Sequence, residues 1–97
     1  MQLIYTAHFK KDYKKLSAAI QKKTDEKIKL LVENLSHPSL RVKKVKKYQN
    51  VLEGSINKNY RFLFQITSKG YLFFRIGKHD ILEGKQLNGK LRKRVEQ

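Results

Sequence analysis

The sequence predicts an α+β domain, in which a first strand and a two-helix hairpin pack on a twisted, mainly antiparallel sheet of four to five strands. Two patterns carry this prediction. Up to about residue 35 the apolar residues recur at helical spacing, and after Pro38 they alternate as in strands. Residues 60–66 and 71–76 are the most strand-like segments, since both are rich in aromatic side chains and a glycine-containing turn separates them.

The first forty residues predict a strand followed by two helices. Residues 2–5 are β-prone, and Thr6 and Ser17 are each placed to cap a helix, because their hydroxyls can accept from N–H groups of the first turn. Pro38 is expected to end the second helix. Each helix carries one apolar stripe. The stripes are Phe9, Tyr13 and Leu16 in the first helix, and Ile20, Thr24, Ile28, Leu31 and Leu35 in the second.

Two further strands are expected before the aromatic segments. Residues 40–48 alternate at first and then slip in phase at Val45, which is typical of a bulge or an exposed edge. Five basic residues within 41–47 would protect such an edge from aggregation. A short strand is expected at 51–56, with a turn at 57–59, since asparagine tolerates positive φ.

The apolar pattern of the last hairpin predicts its register. A three-residue loop at 68–70, with Gly70 in a left-handed conformation, gives apolar pairs throughout. The expected pairs are Phe62 with Ile76, Phe64 with Phe74, and Ile66 with Leu72. This register buries Phe62, Phe64, Leu72, Phe74 and Ile76 against the helices. Glu53, Ser55, Arg61 and Arg75 then share the opposite face.

The charge of the chain points to a polyanionic partner. Its 97 residues include 23 lysines and arginines against 8 acidic residues, for a formal net charge of +15. Fifteen of the basic residues lie in residues 41–97. RNA or another polyanion is the expected partner, because each neutralised phosphate releases counterions. The alternatives are a basic surface kept for solubility and an acidic protein that covers the same face.

Several classes of protein are excluded by what the sequence lacks. Without cysteine there are no disulfides, thiolate metal sites or cysteine nucleophiles. The three histidines lack the spacing of metal ligands, so we expect no metal and no cofactor. No apolar run resembles a signal peptide or a membrane span. We therefore expect a single cytoplasmic domain over residues 1–97, in which 84–97 form a basic tail or a short helix.

Three residues are candidates for catalysis. Antiparallel pairing brings Arg61, where one strand begins, close to His79, just after the other ends. RNA cleavage without a metal needs a base, a cation to stabilise the phosphorane, and an acid. Arg61 suits the cation, while His79 and Glu53 are candidate proton carriers. The alternatives are a purely structural salt bridge between Arg61 and Glu53, and a surface histidine without function.

The other basic residues near this face are expected to contact RNA phosphates. His8 and His37, which flank helix ends, are interpreted as caps or surface residues. The predicted RNA-binding residues are Lys43, Lys44, Lys46, Lys47, Lys58, Arg75, Lys78 and Lys85.

The order of elements and motifs resembles the RelE/ParE superfamily of toxins from bacterial type II toxin–antitoxin systems. The resemblance spans residues 3 to about 82. It is carried by FKKDYKKL at 9–16, HPSLRVKK at 37–44, Glu53, NYR at 59–61 and RIGKHD at 75–80.

The resemblance implies a function as well as a fold. RelE-like members cut mRNA in the ribosomal decoding site, whereas ParE-like members inhibit DNA gyrase. In the RelE-like case Arg61 would stabilise the phosphate and His79 would be an acid/base or phosphate ligand. Lys85 falls near the place where some RelE-type members have a tyrosine, and no aromatic residue follows Phe74 here.

We therefore expect a toxin that is a metal-independent endoribonuclease. It would cleave mRNA on the ribosome, contact 16S rRNA, and be neutralised by a cognate acidic antitoxin. The alternatives are a gyrase inhibitor and a non-catalytic RNA-binding or interaction protein.

Overall fold

A five-stranded sheet lies at the centre of the computed structural model, which describes residues 2–79. The sheet order is β1-β5-β4-β3-β2, and only the β1–β5 pair is parallel. The two helices pack on this mixed sheet, so the predicted α+β class is confirmed. The elements are β1 (Gln2–Tyr5), α1 (Ala7–Lys14), α2 (Ala18–Glu33), a 3₁₀ turn (Pro38–Leu40), β2 (Lys43–Lys44), β3 (Leu52–Ser55), β4 (Tyr60–Thr67) and β5 (Gly70–Lys78).

Both predicted helix caps are present. The Thr6 hydroxyl accepts from the N–H of Phe9 at 3.1 Å, and the Ser17 hydroxyl accepts from the N–H of Ile20 at 3.3 Å. Thr6 also donates to the carbonyl of Phe74 at 2.9 Å, which ties the start of α1 to β5. These contacts satisfy first-turn donors that would otherwise lack a partner.

The second helix ends earlier than predicted, at Glu33 rather than at Pro38. The chain leaves the helix at Asn34, whose φ is −156°, and the Asn34 side chain accepts from the N–H of Ser36 at 3.1 Å. Pro38 instead begins the 3₁₀ turn, where its missing N–H costs nothing. His37 caps this turn by accepting from the N–H of Ser39 at 3.2 Å, in agreement with its interpretation as a cap.

The hydrophobic core occupies both faces of the sheet. The larger cluster lies between the sheet and the helices, and a smaller one covers part of the opposite face, called here the outer face. The larger cluster consists of Phe9, Ile28, Leu31, Leu40, Ile56, Phe62, Phe64, Tyr71, Phe73 and Ile76. The smaller cluster consists of Tyr48, Val51, Leu63 and Phe74.

The register of the β4–β5 hairpin is only partly as predicted. Phe62 pairs with Ile76, but a bulge follows Leu63, and Phe64 then pairs with Phe73 rather than with Phe74. The inward and outward aromatic residues of β5 are thereby exchanged. Phe73 is fully buried in the larger cluster, while Phe74 joins the outer cluster.

A tighter turn explains this shift. Thr67 pairs directly with Gly70, and the Thr67 hydroxyl accepts from the N–H groups of Lys69 and Gly70, both at 3.2 Å. The loop is therefore one residue shorter than predicted, and the bulge restores the pairing farther along. Gly70 has φ +149°, and a Cβ there would lie 2.0 Å from the carbonyl oxygen of Gln2. Only glycine fits at this position.

The strand predicted at 40–48 is reduced to the two residues of β2. The phase slip follows the last contact of this ladder, in which the Val45 N–H donates to the carbonyl of Val51 at 2.9 Å, and a turn then begins, closed by the Tyr48 N–H donating to the carbonyl of Val45 at 3.2 Å. The segment in between folds over the outer face, where Tyr48 packs with Leu63 and Phe74. The expected edge position of the basic strand is present, because β2 is the last strand of the sheet.

Candidate active site on the outer face

Three charged residues meet where β2, β3 and β4 lie side by side. Lys43 pairs with Glu53 across β2 and β3, and Ser55 pairs with Arg61 across β3 and β4. Glu53 Oε2 lies 3.6 Å from Lys43 Nζ and 3.8 Å from Arg61 Nε. Glu53 is only 7% exposed, so its carboxylate is largely shielded from water between two cations.

The guanidinium of Arg61 is held from one side by backbone carbonyls. Its Nη1 donates to the carbonyl oxygens of Asn57 and Tyr60, the latter at 3.0 Å. Nη2 makes no hydrogen bond to any of residues 2–79, and 17% of the side chain is exposed. Among the described residues, one nitrogen of the fork is thus left without an acceptor, and an anion is the kind of group that it would bind.

A cleft of about 670 Å³ opens beside this arginine. Gly77 pairs with Arg61, and a Cβ at Gly77 would meet no atom of residues 2–79 within 4 Å, so none of these residues fills the surface there. The backbone N–H of His79 donates to the carbonyl of Asn59 at 3.0 Å, which fixes the end of β5 against the start of β4. We call this the arginine cleft. It is lined by Lys58, Asn59, Tyr60, Arg61, Lys78 and His79.

A second depression, of about 290 Å³, adjoins the first through His79. Glu53 and His79 both line this depression, and Arg61 and His79 both line the arginine cleft. His79 therefore lies between the carboxylate of Glu53 and the guanidinium of Arg61 on one continuous surface. We call it the lysine groove. It is lined by Lys43, Lys44, Val45, Lys46, Lys47, Tyr48, Glu53 and His79.

The structure thus brings most of the predicted site residues to one surface and leaves Arg75 outside both depressions. Arg75 lines neither depression, and its Nε and Nη2 donate to the carboxylate of Asp12 at 2.7 and 3.1 Å. Lys85 lies outside the described residues. The residues that line the two depressions are Glu53, Arg61, His79, Lys43, Lys44, Lys46, Lys47, Lys58 and Lys78.

The position of Arg75 follows from the length of β1. This strand ends at Tyr5, opposite Phe73, so the edge of β5 beyond that point faces α1. Asp12 on α1 accepts from the backbone N–H of Ile76 at 3.1 Å and binds Arg75 with the same carboxylate. Glu53 and Arg75 both pair with Leu63, in keeping with the shared face, but the guanidinium of Arg75 is bound by Asp12, and its contact with RNA stays a prediction.

One polar residue of the site was missed by the sequence analysis. Asn57 was interpreted as part of a turn, yet its carbonyl oxygen contacts Arg61 and its side chain accepts from the N–H groups of Asn59 and Tyr60, both at 2.9 Å. The only sequence signal was an asparagine four residues before an arginine, which is too common to single out.

Within residues 2–79, no three histidine or acidic side chains come together as a metal site. Neither helix in this part of the chain has both the length and the apolar character needed to cross a membrane. Metal independence stays a prediction.

Known proteins share this fold at low sequence identity. YafQ from E. coli strain BL21(DE3) matches with a TM-score of 0.69 and 20% identity, over 86% of this chain and 98% of that one. A chain of the RelB–RelE antitoxin–toxin complex from Methanococcus jannaschii matches with a TM-score of 0.68 and 22% identity, over 81% of this chain and 93% of that one. The YoeB/ParE toxin from Agrobacterium tumefaciens matches with a TM-score of 0.70 and 16% identity, over 81% of this chain and 99% of that one.

The family comparison covers most of the sequence. No curated protein matches the chain. The family model of the ParE toxin of type II toxin–antitoxin systems, parDE, matches residues 3–82, which are the residues over which the motifs suggested a resemblance. The chain therefore belongs to the RelE/ParE superfamily of toxins of type II toxin–antitoxin systems.

Proposed function

We propose that this toxin is a metal-independent endoribonuclease that cleaves mRNA on the ribosome and thereby stops translation. The observation that supports this most is the placement of Glu53, Arg61 and His79 on one basic surface. These three side chains supply a carboxylate, a cation and an imidazole, which are the groups that phosphodiester transfer requires.

The proposed reaction is an attack of the ribose 2′-oxygen on the neighbouring phosphorus. Glu53 removes the proton of the 2′-hydroxyl, and the bond from the 2′-oxygen to phosphorus forms. Arg61 binds the phosphate through Nη2 and stabilises the charge of the phosphorane. His79, in its protonated form, gives its proton to the 5′-oxygen as the bond from that oxygen to phosphorus breaks. The products are a 2′,3′-cyclic phosphate and a 5′-hydroxyl.

The two depressions give the RNA a path across the outer face. Lysines of the lysine groove would contact phosphates on one side of the scissile bond, and Lys58 and Lys78 of the arginine cleft would contact those on the other. We propose that the part of this basic surface farthest from the scissile bond contacts 16S rRNA. The net charge of +15 supports the same partner class.

A cognate acidic antitoxin is the proposed protein partner. The solved structures that share this fold include the DinJ–YafQ complex and the RelB–RelE antitoxin–toxin complex. An acidic chain would be attracted to the same surface as RNA, so antitoxin and substrate would compete for it.

The test is cleavage of a defined mRNA with and without translating ribosomes, mapped at nucleotide resolution. We expect Arg61→Ala and His79→Ala each to lower the cleavage rate by about 100-fold or more. Lys22→Ala, an exposed lysine on α2, serves as the control and should leave the rate unchanged. Wild-type protein that leaves mRNA intact in both conditions would exclude the proposal, as would full activity in both site variants.

Inhibition of DNA gyrase is the second candidate, because the family model that matches the chain is that of the ParE toxin. A gyrase supercoiling assay with intact mRNA as a parallel readout separates the two functions. Loss of supercoiling with intact mRNA supports gyrase inhibition. Salt-sensitive RNA binding without cleavage and without an effect on gyrase would support a non-catalytic RNA-binding protein.

A further inference from the structure

The turn between β3 and β4 is fixed by the side chain of one asparagine. Asn57 Oδ1 accepts from two successive backbone donors, the N–H groups of Asn59 and Tyr60, at 2.9 Å each. The N–H of Ile56 donates to the carbonyl of Tyr60 at 3.0 Å and closes the base of the turn. The N–H of Asn57 donates to the same carbonyl at 3.4 Å, and these four hydrogen bonds over five residues leave the segment little conformational freedom.

The same turn binds the guanidinium of Arg61. The carbonyl oxygen of Asn57 accepts from Arg61 Nη1, and it also accepts from the Ser55 hydroxyl at 3.1 Å. The carbonyl of Tyr60 accepts from the same Nη1 at 3.0 Å. Two carbonyls of one rigid turn therefore occupy Nη1. Nη2 is left without a hydrogen bond to any residue from 2 to 79, in an arginine that lines the arginine cleft.

We infer that Asn57 is a positioning residue that acts through Arg61. Its side chain fixes the turn, the turn aims two carbonyls at Nη1, and the guanidinium is thereby ordered before any phosphate arrives. An arginine on an exposed strand end otherwise samples many rotamers and loses that freedom when it binds an anion. In this protein the side chain of Arg61 loses its rotamer freedom when the chain folds, so phosphate binding does not carry that entropic cost.

Glu53 alone does not account for the ordering. Its carboxylate lies 3.8 Å from Arg61 Nε, beyond hydrogen-bond distance, and it is shared with Lys43. Within residues 2–79, the hydrogen bonds of the Arg61 side chain all go to carbonyls of the turn. A change at Asn57 is therefore expected to loosen Arg61 even when Glu53 is intact.

The inference rests on the proposed nuclease function for its kinetic test, which is a double-mutant cycle. Asn57→Ala is expected to lower kcat by about 10-fold with a smaller change in KM, because misplacement of a catalytic group mainly affects the transition state. Asn57→Asp keeps an oxygen for both N–H donors and should restore most of the rate. The Asn57→Ala/Arg61→Ala double variant should be no slower than Arg61→Ala alone, because the effect passes through the arginine.

A control separates positioning from stability. Asn34→Ala removes a side-chain acceptor of the same kind, the one that binds the N–H of Ser36 beside the end of α2. It should lower the melting temperature by a similar amount and leave kcat unchanged. An Asn57→Ala variant that is folded and as active as wild type would overturn the inference. The inference would also be overturned if the double variant lost cleavage rate by the full product of the factors measured for Asn57→Ala and Arg61→Ala alone.

A second readout does not depend on catalysis. The ¹⁵Nε–H signal of Arg61 should have a high heteronuclear NOE in the wild type and in Asn57→Asp, and a low one in Asn57→Ala. Inorganic phosphate should shift this signal at a several-fold lower concentration in the wild type than in Asn57→Ala. If the wild type cleaves no RNA yet these signals behave as stated, the proposed function fails and the positioning role stands. Equal order of Arg61 in all three proteins would refute the positioning role itself.

Discussion

Asp12 on α1 and Arg75 on β5 form a two-point ion pair that joins the helical layer to the sheet. Arg75 Nε donates to Asp12 Oδ2 at 2.7 Å and Nη2 donates to Oδ1 at 3.1 Å. The same carboxylate accepts from the backbone N–H of Ile76 at 3.1 Å. Asp12 therefore replaces the neighbouring strand that β5 lacks beyond the end of β1.

Loss of this carboxylate should weaken the fold. Asp12→Ala leaves the Arg75 guanidinium and a strand N–H without their acceptor, and we expect the free energy of unfolding to fall by about 2 kcal/mol. The two side chains are 13% and 19% exposed, which keeps the expected loss below that of a fully buried pair. Urea unfolding gives the measurement, with Glu26→Ala, at an exposed position on α2, as a comparison. A loss of less than about 0.5 kcal/mol would show that water replaces the carboxylate without cost.

The difference between Asp12–Arg75 and the helix caps shows which parts of the structure are predictable from the sequence. Thr6 caps a helix that begins beside it, so the signal is local and the prediction was confirmed. Asp12 and Arg75 are 63 residues apart, and no spacing rule connects them. Their contact depends on where β1 ends, which the sequence does not mark.

The hairpin and the candidate site also contain some contacts that are predictable from the sequence and others that are not. Pairing of Phe62 with Ile76 follows from alternation, and this pair is present. The bulge after Leu63 depends on the Thr67 hydroxyl, which closes a tighter turn than the apolar pattern suggested. The contact of Arg61 with a carbonyl of the turn was equally hidden, because any residue supplies a carbonyl and only the fold decides which one faces the arginine.

Gly54 is expected to tolerate no side chain. A Cβ at this position would lie 2.3 Å from Cζ of Phe62, which is fully buried. Gly54→Ala should therefore lower the free energy of unfolding by about 1–3 kcal/mol, since the aromatic ring cannot move without disturbing the core. Gly77→Ala is the matched control, because its Cβ meets open space in the same sheet. Equal stability of the two variants would contradict this account, and partial rescue of Gly54→Ala by Phe62→Leu would support it.

Removal of the Glu53 charge should separate its proposed catalytic role from charge balance. Glu53→Gln keeps the shape of a side chain that is 7% exposed but cannot accept a proton at neutral pH. As a general base, Glu53 should contribute about 100-fold or more to the cleavage rate. The RNA dissociation constant should change little, and thermal unfolding should confirm that the variant is folded. A cleavage rate within about threefold of wild type would leave Glu53 with only an electrostatic role beside Lys43 and Arg61.

Alkaline pH should destabilise the protein through two tyrosines between the helices and the sheet. Burial raises the pKa of Tyr13, and its hydrogen bond to Asp25 at 2.8 Å raises it further. Burial also raises the pKa of Tyr5, with a smaller effect from the Asp25 charge. In the unfolded chain both phenols lose their protons near pH 10, while the folded protein retains them, so the unfolded state binds fewer protons. Stability should therefore be intact below about pH 10 and fall as the pH rises above it.

The matching experiment compares unfolding of wild type and Tyr13→Phe between about pH 8 and pH 11. The variant should lose less stability per pH unit above pH 10, because one of the two shifted phenols is gone. Parallel pH profiles for the two proteins would show that Tyr13 titrates alike in the folded and unfolded states.

RNA binding should depend on salt through the lysine groove. Each lysine that neutralises a phosphate of single-stranded RNA contributes about 0.7 to the slope of log K against log salt. Replacing four lysines by glutamine should reduce the slope by up to about 2.8, measured with an RNA that lacks the cleavable 2′-hydroxyl. The substituted residues are Lys43, Lys44, Lys46 and Lys47.

A control of equal charge decides whether this effect is local. Four exposed helical lysines changed to glutamine, Lys11, Lys14, Lys22 and Lys23, lower the net charge by the same amount on elements that lie across the sheet from the groove. If the groove binds RNA, the slope of this control should stay close to that of the wild type, since counterions are released only where phosphates are contacted. Equal slopes for the two quadruple variants would mean that RNA is attracted by the overall charge of the protein and does not occupy the groove.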